Sequence, residues 1–189
     1  HGIGRRQRQM CIRDSFKRHF GLLATGLAVL VLLLTPTSPI HAEDEIRGES
    51  GLPLPRFVSI KGNPVNLRQG PGTQYPALLT FRRVGWPVEI LDENSNWRKV
   101  RDYDGDTGWI QANLLRGKRS VVMHQSPTAH KLRKRPDENS VILAYLQPGI
   151  VAELVDCEGE WCDIRVEGYR GWISRVALWG VYPHEFTKK

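Results

Sequence analysis

The chain has 189 residues, with 27 Lys and Arg against 20 Asp and Glu, a formal net charge of +7 with histidine neutral. Hydrophobic residues make up 40% and charged residues 25%, with 18 glycines and 12 prolines. These proportions suit a folded domain and exclude collagen-like, disordered and multi-span membrane classes.

In chain order, the first segment is expected to belong to no fold. Arg5-Arg-Gln-Arg-Gln-Met-Cys-Ile-Arg-Asp-Ser15 reads, residue for residue, as one frame of a transposon-end adapter, so residues 1–15 are expected to be an adapter-derived scar. On that reading Arg5-Arg6 is not a twin-arginine signal and Cys11 is not a lipid-anchoring cysteine. Residues 16–42 then show the three-part layout of a secretory signal. A basic stretch (Lys17, Arg18, His19) leads into an apolar run from Phe20 to Leu34, followed by Thr35-Pro-Thr-Ser-Pro-Ile-His-Ala42. The apolar run is 15 residues, short of the ~20 that a spanning helix needs. The expectation is a signal helix cleaved after Ala42 and a periplasmic protein, with a membrane attachment only if that helix stays uncleaved.

Beyond residue 42 the chain carries 21 basic and 19 acidic residues, a net charge of only +2. Nucleic acid is therefore not an expected partner. Two cysteines remain, Cys157 and Cys162, and in an exported protein an even pair favours a disulfide. A metal site would want two more ligands nearby, and His124 and His130 are single and distant. No metal and no cofactor are expected.

Residues 43–56 are acidic and bear proline and glycine, which reads as a flexible linker. After it the chain repeats itself. Asn66-Leu-Arg-Gln-Gly-Pro71 aligns with Lys131-Leu-Arg-Lys-Arg-Pro136, and Val88-Glu-Ile-Leu-Asp92 with Ala152-Glu-Leu-Val-Asp156. Asn96-Trp-Arg-Lys-Val-Arg101 aligns with Glu160-Trp-Cys-Asp-Ile-Arg165, and Gly108-Trp-Ile110 with Gly171-Trp-Ile173. The offset drifts only from 65 to 63, so one copy is about 60 residues long.

Within each copy the hydrophobic period is two. Ala77–Phe81, Val88–Leu91, Trp97–Arg101 and Gly108–Gln111 alternate between turn signals, and Asp104-Gly105 marks a tight turn joining the last two. This predicts a small, partly open barrel of about five strands per copy. Units this small bury little alone, so the copies are expected to pack together or to lean on the Cys157–Cys162 pair.

These blocks in this order resemble the bacterial SH3-like domain (SH3b). Asn66-Leu-Arg-Gln-Gly-Pro-Gly-Thr, Asn96-Trp-Arg-Lys-Val and Gly108-Trp-Ile-Gln-Ala-Asn-Leu-Leu115 carry the likeness in the first copy. Leu132-Arg-Lys-Arg-Pro, Glu160-Trp-Cys, Gly168-Tyr-Arg-Gly-Trp-Ile173 and Ala177-Leu-Trp179 carry it in the second. The resemblance implies an all-β chain of two tandem SH3-like barrels, over 57–118 and 119–183 with a tail at 184–189. It also implies short 3₁₀ turns near Asn113 and Val176. The role it implies is binding at the cell envelope, towards peptidoglycan or an envelope protein.

Strand parity selects the candidate ligand-binding residues. Val100 and Ile164 suit the core, so Trp97, Lys99 and Arg101 should share the opposite face, as should Trp161, Asp163 and Arg165. Each of Trp97 and Trp161 could floor a groove, with the neighbouring arginine reaching an anionic group. The other reading folds the loop from Arg68 to Tyr75 over Trp97 as a second small core. Arg68 and Tyr75 are candidate groove contacts, and the first copy is favoured because the second lacks the tyrosine and the glycines. Trp86 is either a contact specific to the first copy or a docking residue. Trp109 and Trp172 read as barrel structure. Trp179 and Val181-Tyr-Pro183 should close the second barrel or cover its contact with the first.

Three other motifs are set aside. Gly70-Pro-Gly-Thr-Gln-Tyr75 lacks the Lys-Ser/Thr ending of a phosphate loop. Asp102-Tyr-Asp-Gly-Asp106 lacks the closing acid of a calcium loop, Asn113 standing in its place, and reads as a polar hairpin turn. The tyrosine-rich motif of polyproline-binding SH3 domains is missing. No nucleophile or acid–base pair sits in an activating context, and little chain follows the second copy, so no enzymatic activity is expected. The sequence thus points to a non-catalytic binding or scaffolding module. The alternative is a structural subunit of an envelope complex with its tryptophan faces buried in protein contacts.

Overall fold

The computed structural model describes residues 45–183 and 185. The expected adapter-derived segment and the expected signal helix with its cleavage site lie outside the described residues. Among the described residues the chain forms two antiparallel sheets of seven strands each.

The first comprises β1 (Arg56–Ile60), β2 (Val65–Arg68), β3 (Ala77–Phe81), β4 (Pro87–Asn94), β5 (Trp97–Arg101), β6 (Thr107–Gln111) and β7 (Leu115–Arg116). The second comprises β8 (Ser120–Met123), β9 (His130–Arg133), β10 (Ile142–Leu146), β11 (Val151–Glu158), β12 (Trp161–Val166), β13 (Tyr169–Ser174) and β14 (Leu178–Trp179). Strand order is β3-β2-β6-β5-β4-β1-β7 in one and β10-β9-β13-β12-β11-β8-β14 in the other, the same topology twice. A 3₁₀ turn follows β6 at Ala112–Leu114 and β13 at Arg175–Ala177, as the resemblance implied. The extra strands beyond the expected five are chiefly the two-residue β7 and β14, too short to show a period.

Alternation builds each core. Val58, Ile60, Val65, Leu67, Val88, Ile90, Val100 and Ile110 meet inside the first barrel. Val121, Met123, Leu132, Leu154, Ile164 and Ile173 do so in the second, joined by the Cys157–Cys162 disulfide. Burying each such aliphatic side chain contributes roughly 1.5–3 kcal/mol. Val100 and Ile164 are fully buried, as parity requires. Asp163, expected to face out, does lie on the outer face yet is only 5% exposed. The reason is Arg170 on the next strand, whose guanidinium lies across it at 2.7 and 3.0 Å. The Asp104-Gly105 turn is organised from beneath, the buried Asp102 carboxylate accepting the N–H groups of Asp104 and Asp106.

Residues 45–55 of the segment expected to be a flexible linker are folded. Gly48 N–H donates to Leu52 O and Leu54 N–H to Ile46 O, which closes a small hairpin. Ser50 fastens it to the first barrel, donating to the Glu93 carboxylate through both N–H and Oγ at 2.6 and 2.8 Å. Charge and glycine content alone suggested freedom, but the acceptor lies 43 residues away in sequence.

The barrels join through aromatic rings. Phe57, on the outer face of β1, packs edge-on to Trp179 (5.0 Å between centroids) and against Tyr182 (4.7 Å). Tyr103 meets Trp179 and His124, and its hydroxyl accepts the Gln125 N–H at 2.9 Å. Tyr182 also donates its hydroxyl to Glu89 at 2.9 Å. Burial and then the Glu89 carboxylate push that phenol well above its ordinary range, so it stays a donor. The segment after Trp179 therefore fills both expected roles: Val181 enters the second core while Trp179 and Tyr182 cover the junction.

Candidate functional site

Trp161 opens β12, half-buried, opposite Ser174 of β13. The loop between β9 and β10 is folded back toward it by Arg133. That guanidinium is buried and donates to Ser140 O at 2.9 Å, while Ser140 Oγ accepts the Arg135 N–H at 3.0 Å. Clamping the loop at its base carries Glu138 over to the groove that Trp161 lines. His130 and Lys131 at the start of β9 complete a cleft of about 240 Å³, which Ile173 and Ala177 also line. His130 is itself positioned by a 2.9 Å hydrogen bond between Nε2 and His124 O. An indole face flanked by one carboxylate and by cations can stack on the flat or apolar side of a ligand while its polar rim orients the rest. Among the described residues, no group of three or more His, Cys, Asp and Glu stands where a metal ion could be held.

The first copy uses the same parts differently. Arg68 is the counterpart of Arg133 and also clamps its loop, donating from Nη1 to Thr73 O (3.2 Å) and Tyr75 O (2.7 Å). Its five donors are thus partly committed before any ligand arrives. Tyr75 is 39% exposed and lays its ring over Gly70, where an added Cβ would stand 2.6 Å from a ring carbon. That close approach is what the glycine permits. Trp97 opens β5 half-buried, as Trp161 opens β12.

Trp86 packs against the first core and accepts the Ile60 N–H at 2.9 Å. Arg101 lies at the far end of β5 from Trp97, ~13 Å along an extended strand. Its guanidinium binds Glu89 at 2.5 and 3.0 Å. Trp97 and Arg101 are therefore on one face and not in one site. Arg165 is likewise directed to a carboxylate, Glu153 at 3.5 Å.

Sequence reasoning passed over Lys131 and Glu138, and it did not weigh His130 as a groove contact. The signal was available in the aligned loops: Pro136-Asp-Glu138 stands where the first copy has Pro71-Gly-Thr73, so a carboxylate replaces a neutral residue beside the groove. It also passed over Glu93, whose side chain is fully buried between Arg56 (2.5 Å) and Arg98 (3.1 Å). Burial alone would raise that carboxyl, but the bonds from Arg56 and Ser50 and the charge of Arg98 outweigh it and bring it down to about 2.

The model of the family described as "Bacterial SH3 domain" matches twice, at residues 61–117 and 126–180. The chain belongs to the bacterial SH3 domain family. Each match covers one sheet from its second strand to its last, leaving β1 and β8 outside. No curated protein matches the chain. Among solved structures it is similar to NlpC2 from Trichomonas vaginalis, with 16% identity and TM-score 0.32 over 71% of this chain and 51% of that one. It is similar to NlpC1 from the same organism, with 17% identity and TM-score 0.31 over 70% and 48%. An NlpC/P60 family protein from Bacillus cereus ATCC 10987 gives 14% identity and TM-score 0.29 over 65% and 55%. This bacterial SH3 chain spans about half the length of those proteins, and at such TM-scores the likeness says nothing about its activity.

Proposed function

We propose that this tandem bacterial SH3 protein is a non-catalytic, exported binding module of the cell envelope that takes peptidoglycan. The observation that supports this reading is the cleft lined by Trp161, which also brings together Glu138, Lys131 and His130. A wall fragment offers both sugar faces and charged peptide groups, which such a cleft can hold by stacking and by complementary charge. Export to the periplasm, through the signal read at residues 16–42, would bring the module to that polymer.

The test is sedimentation of the mature form, beginning at Glu43, with purified sacculi. Retention should be lost in Trp161→Ala and weakened about tenfold in Glu138→Gln, with circular dichroism unchanged. Full retention of Trp161→Ala would refute the assignment to this cleft. Absence of retention for the unsubstituted protein would refute peptidoglycan as the partner.

A further inference from the structure

A second site lies at the junction of the barrels, away from the Trp161 cleft. There a cavity of about 120 Å³ is lined by Ser59, Arg116, Lys118, Arg119, Ser120 and Glu153 among others. Its size suits a small ion, well below the several hundred cubic ångströms of clefts for larger ligands. Two cross-strand pairs face it, one from each barrel. Ser59 of β1 stands opposite Arg116 of β7, and Ser120 of β8 opposite Glu153 of β11. Residues paired this way project from the same side of their sheet, so all four side chains belong to the cavity side.

The polar groups there are arranged as donors short of acceptors. Ser59 Oγ donates to Lys118 O at 2.8 Å and accepts from Arg116 Nε at 3.2 Å, which fixes the guanidinium at the cavity wall. No carboxylate among the described residues is within ion-pair distance of Arg116. Ser120 is 7% exposed, and its Oγ and the Nε of Arg119 have no hydrogen-bond partner among the described residues. Such unmatched buried donors are costly unless something accepts from them.

The charges point the same way. Lys118 and Arg165 both bind Glu153, and Arg119 binds Glu185. The lining residues and their ion-pair partners thus sum to four cations, counting Arg116, against two carboxylates.

We infer that this junction is a binding site for a small oxyanion, a phosphate or phosphate ester, held by Arg116, Lys118 and Ser120 and bridging the two barrels. Arg116 supplies a fork matched to two anion oxygens. Lys118 adds a point charge, and the Ser120 hydroxyl turns to donate. Glu153 opposes the anion and sets its affinity.

Inorganic phosphate should raise the melting temperature of the full chain saturably, beyond the effect of chloride at equal ionic strength. Calorimetric titration should show affinity for phosphate falling tenfold or more in Arg116→Gln and several-fold in Ser120→Ala. It should rise several-fold in Glu153→Gln, a gain that mere damage to the junction cannot produce. Phosphatidylglycerol vesicles form the second arm. Retention on them that depends on Arg116 would assign the phosphate to a lipid headgroup, and saturation by inorganic phosphate alone would assign it to a free ion. A melting temperature that follows ionic strength whatever the anion, or identical titrations for Arg116→Gln and the unsubstituted chain, would overturn the inference.

Discussion

The two barrels fasten one hairpin by different chemistry. In the first, Glu93 of β4 faces Arg98 of β5, and its carboxylate is buried with Arg98, Arg56 and Ser50 around it. At the matching register of the second, Cys157 of β11 faces Cys162 of β12 and the two are joined covalently. Both fastenings sit one residue from the tryptophan that opens the following strand, Trp97 or Trp161. The comparison teaches that one register position beside the tryptophan is cross-linked in both barrels, and that the kind of cross-link sets what can undo it. A buried ion pair depends on both charges persisting, whereas a disulfide depends on redox conditions.

The sharpest way to break the comparison is Glu93→Ala. It strands two arginines at a buried position and should cost about 3–5 kcal/mol, read by urea denaturation. Amide exchange should rise first across β4, β5 and residues 45–55, leaving β11 and β12 protected. Acid should act on the same group. The Glu93 carboxyl titrates near 2 when folded against an ordinary 4.5, so its contribution is complete above about 4.5 and fades as pH falls toward 2. Stability of the first barrel measured across that window should decline, and Glu93→Gln should flatten the decline.

The counterpart in the second barrel is replacement of both Cys157 and Cys162 by serine. Closing so short a loop is worth about 2 kcal/mol in the unfolded chain. That loss should appear in exchange of β11 and β12 and should match the effect of a reductant on the unsubstituted protein. A uniform rise in exchange over both barrels would show that the junction couples them more tightly than their separate fastenings imply.

The smallest expected difference concerns the loop clamps. Arg133 is 8% exposed whereas Arg68 is half-buried, and both bond loop carbonyls. Arg133→Ala should cost about 2 kcal/mol and Arg68→Ala about 1 kcal/mol. Arg133→Ala should also weaken sacculus retention, because Glu138 loses its placement, while Arg68→Ala should leave it unchanged.

Much of the fold was legible in residue order. The bounds of β3 and β5 coincide with the alternating runs at Ala77–Phe81 and Trp97–Arg101, and the inward parity of Val100 and Ile164 holds. The aligned copies foretold that one topology occurs twice. The candidate site was legible only in part. Trp161 was singled out, but its companions His130 and Glu138 stand 31 and 23 residues before it in the chain. Arg101 was assigned by face, and a face runs the length of a strand while a site occupies one end. Asp163 shows the same limit, since parity gives its direction but not the Arg170 guanidinium that covers it.

Alternation, turn residues and internal repetition act between near neighbours, so the sequence by itself determined two small antiparallel barrels and the faces of their strands. Glu93 meets Arg56 across 37 residues, and Tyr182 meets Glu89 across 93. Contacts of that span form only when separate strands converge and remove water from between them. The tertiary structure alone therefore decided which charges are buried, which arginines are already committed, and where an indole is left with open space beside it.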